Sequence, residues 1–246
     1  MIKFFRKIRQ KLLSENKFSK YLIYAIGEII LVVIGILIAL QINNWNEDRK
    51  ETKREKLFLK ELKTSIDKDL LNYDENYDWR LKMKKSGLDS LLHYIKYDHN
   101  IHDTLFIKFY NMMSMDIRLK HDRGPYEALK SSGLDYIRND SLRTAINRTY
   151  TSLPQLQFFS HSYDTQSNPK ISELEYQISN IKTFNHKGDK IFAEYEVKID
   201  EIITDQNFLW IYDMQSRKYN RYITRLEQMK SALNELKVQI EEELKK

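Results

Sequence analysis

Cysteine is absent from the 246 residues. Disulfides, thiolate metal sites and cysteine nucleophiles are therefore excluded, while the compartment stays open. Glycine and proline are also scarce, at six and three residues, far below average usage. Neither occurs from Ile36 to Ser86 or from Asp189 to Lys246. A sandwich or barrel needs frequent turns, whereas long helices need none, so the chain is expected to be all-α. No G-x-S-x-G, P-loop, G-x-G-x-x-G or H-E-x-x-H pattern occurs, and neither catalysis nor a cofactor is expected.

A net excess of charge is missing from most of the chain as well. The net charge is +6, and the first 20 residues alone carry it, with Lys3, Arg6, Lys7, Arg9, Lys11, Lys17 and Lys20 against Glu15. The rest nearly balances. A basic isoelectric point of this origin points to an anionic lipid surface and not to nucleic acid. The 16 tyrosines accompany no basic stripe, so they read as half-buried helix faces and not as a base-stacking platform.

What the sequence does have is one long apolar run, Leu22 to Ile42, LIYAIGEIILVVIGILIALQI. Glu28 is its only ionisable residue. As a helix, its 21 residues span about 31 Å, close to the roughly 30 Å hydrocarbon core of a bilayer. Tyr21 and Tyr24 at one end and Trp45 past the other are placed as interface anchors. The run exceeds a signal-peptide core and lacks a small-x-small cleavage site after it, so an uncleaved anchor is expected. Before it, Phe5, Ile8 and Leu12 recur at helical spacing among Lys and Arg, as in a basic helix lying on a membrane surface.

The block Tyr24 to Asn46, YAIGEIILVVIGILIALQINNWN, with the basic start MIKFFRKIRQKLL, resembles a family of bacterial membrane-anchored proteins of unknown function. Tyr126 to Arg143, YEALKSSGLDYIRNDSLR, is similar to a segment in that family's helical domain. The resemblance implies a topology and no chemistry.

Beyond the anchor, Leu59, Leu62, Ile66, Leu70, Tyr73 and Tyr77 keep a helical stripe toward Ser86, and Gly87 marks a kink or break. A second helix is expected over Thr104–Leu119. A short one follows over Pro125–Ser132, with proline in its first turn and Gly133 at its end. Asn139 or Asp140 caps a helix to Tyr150. Pro154 and the polar Ser160–Asn168 stretch punctuate, and Ile171–Phe184 is helical again. Residues Ile191–Ile199 fit either strand alternation or helix spacing; with no second strand recognised, helix is favoured. Last, Tyr219, Tyr222, Leu226, Met229, Leu233, Leu236 and Ile240 follow a heptad-like 3-4 spacing. That seam needs a partner, either the helix after the anchor packed antiparallel in the same chain or a second copy.

Three groups are candidates for function. Glu28, Val32, Gly35 and Ala39 share one face of the anchor, and Gly35-x-x-x-Ala39 is a small-x-x-x-small pattern. An acid within lipid costs on the order of 2.5–3.5 kcal/mol and by default marks function. This face is read as a contact with a second copy or a partner membrane protein. The bland alternative is a neutral Glu28 bonded locally. Arg123, Lys130, Arg138 and Arg143 bracket the Gly133 turn as a candidate anion pocket, although ordinary surface pairing with Glu127, Asp135 and Asp140 explains them as well and is the preferred reading. Asp98, His99, His102 and Asp103 bunch in a loop without metal-ligand spacing, so no metal is expected.

The reading is a basic cytoplasmic tail over 1–20, a transmembrane helix over 21–45 and a helical extracytoplasmic domain over 46–246, ending in a long coiled-coil-like helix. Lys and Arg counts flanking the anchor are nearly tied; the amphipathic tail places the N-terminus inside the bacterial cytoplasmic membrane. The expected role is a non-enzymatic scaffold, adaptor or sensor-like module in contact with the bilayer and without nucleic acid. The competing class is a subunit of a proton-coupled or transport complex working through Glu28.

Overall fold

A computed structural model describes residues 18–97, 101–117, 119–178 and 180–246. The expected basic helix over Met1–Leu13, and Asp98 and His99, lie outside the described residues. Seven α-helices account for most of the described residues: α1 (Phe18–Asn72), α2 (Asp78–Lys96), α3 (Asp103–Ser114), α4 (Gly124–Ser132), α5 (Asp140–Ile178), α6 (Ile199–Ile202) and α7 (Gln206–Leu244). A π-helical turn, Tyr73–Tyr77, joins α1 to α2, and a 3-10 turn, Leu134–Tyr136, follows α4. One antiparallel hairpin, β1 (Asn180–Lys187) and β2 (Lys190–Glu196), completes the set.

The chain divides into two compact units after Lys56. In the first, α1 is long and apolar enough to cross a membrane by length and composition, and none of its most apolar stretch is buried.

The second unit is built around α7. Its seam residues Tyr222, Leu226, Met229, Leu233, Leu236 and Ile240 are all buried. They share one core with Leu59, Leu62 and Ile66 of α1, Tyr126 and Leu129 of α4, and Leu142, Ile146 and Tyr150 of α5. Burying each such aliphatic side chain contributes roughly 1.5–3 kcal/mol. Register of α1 and the π-helical turn that continues it against α7 is visible in three ion pairs: Lys63–Glu241 at 3.3 Å, Asp67–Lys237 at 2.6 Å and, from the turn, Asp74–Lys230 at 2.6 Å. As numbers rise along α1 they fall in step along α7, which is antiparallel packing within one chain. The other end of α7, with Phe208 and Ile211, meets Leu88 and Leu91 of α2 and Phe106, Tyr110 and Met113 of α3 in a second core. Tyr219 borders both.

Local sequence explains the boundaries. Asn139 Oδ1 accepts the N–H groups of Ser141 and Leu142 and opens α5, and Asp205 Oδ1 accepts those of Asn207 and Phe208 to open α7. Pro125 sits in the first turn of α4, and Gly133 after its end has φ +117°. This is positive as expected, although its ψ of 122° is not that of the left-handed helical cap.

Four expectations are corrected. Residues Ile191–Ile199 are not helical: Lys190–Glu196 is a strand, and helix resumes only at Ile199. Its partner strand occupies Asn180–Lys187, so the expected helix over Ile171–Phe184 ends at Ile178. Gly188 at φ +61° opens the two-residue turn between Lys187 and Lys190, a conformation glycine adopts without steric cost. The Pro154 to Asn168 stretch does not interrupt helix; α5 is continuous over 39 residues, at the expense of the bonds that Pro154 and Pro169 cannot donate. Finally, Gly87 breaks nothing. It lies buried inside α2, where an added Cβ would stand 2.5 Å from Met113 N and 2.7 Å from Phe109 O. Its bare backbone lets α3 approach.

Candidate functional site

The predicted anchor face lies on α1. Val32 is 54% exposed, and nothing comes within 4 Å of the place a Gly35 Cβ would take. Glu28 is intermediate in exposure, and Ala39 is exposed. Val32, Gly35 and Ala39 thus form a stripe that the described part of the first unit leaves uncovered, with the partly covered Glu28 on the same face. Trp45 is exposed, with the Arg49 guanidinium 6.0 Å from its ring centre. The helix backbone includes Tyr21 and Tyr24, whose side chains lie outside the described residues.

The predicted cationic group is distributed among local partners. Arg123 Nη2 lies 2.7 Å from Glu127 Oε1. Arg143 Nη2 lies 2.7 Å from Asp140 Oδ1, and its Nη1 donates to the Ile137 carbonyl at 3.0 Å. The Lys130 ammonium lies 6.0 Å over the Tyr126 ring. Arg138 directly precedes the cap residue Asn139. In the loop before α3, His102 Nδ1 accepts the Thr104 N–H at 3.2 Å as a helix cap, and Asp103 accepts the Val197 N–H at 3.2 Å. His102 holds local structure, and Asp103 ties the start of α3 to the segment after β2.

Sequence reading missed a polar assembly where α1 and the π-helical turn meet the segment Asp116–Gly124. Asp69 Oδ2 accepts the Asp122 N–H at 2.9 Å, Ser65 Oγ donates to the Asp122 carbonyl at 3.3 Å, and the Tyr77 hydroxyl accepts the Lys120 N–H at 3.1 Å. Behind them Tyr126 and Tyr150 stack with ring centres 4.7 Å apart. Burial pushes the Asp69 carboxyl up to about 6 and raises the Tyr73 and Tyr150 hydroxyls further above their ordinary range. His121 is pushed down to about 4 by burial and by the neighbouring Arg123 charge. The available signal was the density of polar residues with Tyr73 and Tyr77 one helical turn apart. The long-range partner Asp122 has no signature in a single sequence.

A cleft of about 670 Å³ opens beside this assembly, lined by Asn72, Asn76, Tyr77, Arg80, Asp116 and Lys120. A second buried polar point lies on α2, where the fully buried Lys84 ammonium donates to the carbonyls of Met113 and Met115 and to Gln215 Oε1. It gathers the carbonyl end of α3, where a cation is favoured. These arrangements order helices; they present no nucleophile with an adjacent base.

No curated protein and no solved structure matches the chain. A family model does, the "Family of unknown function (DUF6090)", over residues 28–209. That match runs from Glu28 in the apolar stretch through the hairpin to Leu209 at the start of α7, leaving the α7 seam outside it, and the chain belongs to this family.

Proposed function

We propose that the chain is a membrane-anchored interaction module, a scaffold, adaptor or sensor-like protein without catalytic activity. The N-terminal half of α1 crosses the bacterial cytoplasmic membrane, the N-terminus lies inside and the helical unit lies on the extracytoplasmic side. One observation carries this reading: a 21-residue apolar run whose described side chains are almost all exposed, in a chain that buries its other apolar stripes in cores of its own. Water would penalise that exposure at roughly 25 cal/mol per Å²; lipid would not.

The absence of cysteine makes the topology directly testable. Single cysteines at Ser14 and at Lys245, probed in intact cells with a membrane-impermeant maleimide, should label only at Lys245. Labelling only at Ser14 would reverse the orientation.

A second reading rests on Glu28. A carboxyl in lipid beside a small-residue stripe also suits a subunit of a proton-coupled or transport complex. Glu28→Gln separates the two. A scaffold keeps assembly and function, whereas a proton-coupled subunit assembles and loses function.

A further inference from the structure

We propose that the cleft beside the π-helical turn is a binding site for a small anion carrying a carboxylate or phosphoryl group. Its volume, about 670 Å³, falls in the range of small-molecule sites. Its lining residues all carry polar groups, and two cations, Arg80 and Lys120, stand against one acid, Asp116. Arg80 and Lys120 are exposed at the cleft and form no ion pair among the described residues. Asp116, the sole acid in the lining, has Lys218 3.6 Å from its Oδ1. Of the acids on and beside the turn, Asp74 pairs with Lys230 at 2.6 Å and Asp78 with Lys82 at 2.7 Å, while Glu75 is exposed and is not part of the cleft lining. An anion entering the cleft therefore meets two uncompensated cations and an acid already neutralised from behind.

The turn itself supplies the geometry. π-Helical turns are rare and frequently accompany functional sites. This one buries both Tyr73 and Tyr77, which pack edge to face with centres 5.5 Å apart. Tyr77 thereby reaches the Lys120 N–H and fixes the opposite wall of the cleft. Asn76 donates to Asn72 Oδ1 at 2.7 Å, so the pair stands as an ordered amide group at the rim. A guanidinium fork, an ammonium and two amides suit a carboxylate or a phosphate, both of which accept from several donors at once. The inference does not depend on the membrane reading, since the cleft lies within the second unit.

The test is isothermal titration calorimetry on the full chain purified in detergent micelles, with succinate and with inorganic phosphate at constant ionic strength. Saturable one-to-one binding of either anion is expected. Succinate alone would identify a carboxylate site, phosphate alone a phosphoryl site, and both a general anion site. Arg80→Gln with Lys120→Gln should weaken binding at least tenfold. Lys60→Gln with Lys68→Gln, elsewhere on α1, should leave it unchanged. Both cleft side chains are exposed, so unchanged circular dichroism confirms folding. Failure of both anions to saturate, or equal affinity in the Arg80/Lys120 variant, overturns the proposal.

Discussion

Asp69 on α1 receives the backbone N–H of Asp122 at 2.9 Å, and that bond ties the Asp116–Gly124 segment to the helix carrying the apolar run. Burial holds the Asp69 carboxyl at about 6, against an ordinary 3.8. Half-buried His121, next to Asp122 in the chain, sits at about 4 against 6.5. The signs oppose. Below pH 6.5 the unfolded chain takes up the His121 proton before the native one does, so stability falls as pH drops toward 4. Between pH 6 and 4 the native Asp69 takes up its proton first, so stability rises over that window. Each effect is at most ~3 kcal/mol by linkage.

The pair is therefore expected to cancel nearly in the natural chain and to separate in variants. In urea unfolding at pH 6.5, 5.5 and 4.5, Asp69→Asn should lose stability on acidification relative to the natural chain, and His121→Gln should gain it. Slopes of the same sign in both variants contradict the assignment.

Gly87 faces the backbone of α3 with no room for a methyl group. Alanine is ordinarily the better helix residue by ~1 kcal/mol. Here the atoms in the way are Met113 N and Phe109 O, which cannot swing aside. Gly87→Ala should destabilise by ~1–3 kcal/mol, as overpacking does. A thermal melt of the variant gives the sign; an increase in midpoint would contradict the close approach.

Asn139 performs two jobs. Its oxygen caps α5 while its amide donates to Glu243 Oε2 at 2.5 Å near the end of α7. Loss of an N-cap costs typically ~1 kcal/mol. Asn139→Ala is expected to lower stability by ~1–2 kcal/mol, and Asn139→Ser, which keeps a capping oxygen, by less. Denaturant midpoints of the two variants check the order.

Lys84 is buried, and carbonyls and an amide oxygen take its protons. Truncation leaves a cavity and three acceptors without a donor, two separate penalties. Lys84→Ala should therefore cost ~3–5 kcal/mol, and Lys84→Met, which fills the volume, distinctly less. Equal loss in the two would show that packing contributes nothing at this position.

Helical periodicity made most of the fold legible. The stripe from Leu59 to Tyr77 and the seam from Tyr222 to Ile240 are the faces that become buried, because a 3-4 spacing can point inward only on a helix. The hairpin was missed although Lys187-Gly188-Asp189-Lys190 carried a two-residue turn signal. Helical spacing over Ile171–Phe184 takes in Ile181, Thr183 and Phe184, although that helix is the end of α5 and stops at Ile178, so the alternation in Ile191–Ile199 shows no partner. Proline misleads in the opposite direction: the bonds lost at Pro154 and Pro169 do not outweigh the continuity of a 39-residue helix. The Asp69–Asp122 contact was illegible for another reason. It joins residues 53 positions apart through a backbone amide, which every residue but proline possesses.

The central claim is that the N-terminal half of α1 resides in lipid. Extraction of isolated membranes with alkaline carbonate, followed by detergent, tests it most directly. The chain should stay in the membrane pellet through carbonate and leave it only with detergent. Recovery of the folded chain in the carbonate supernatant would contradict the account.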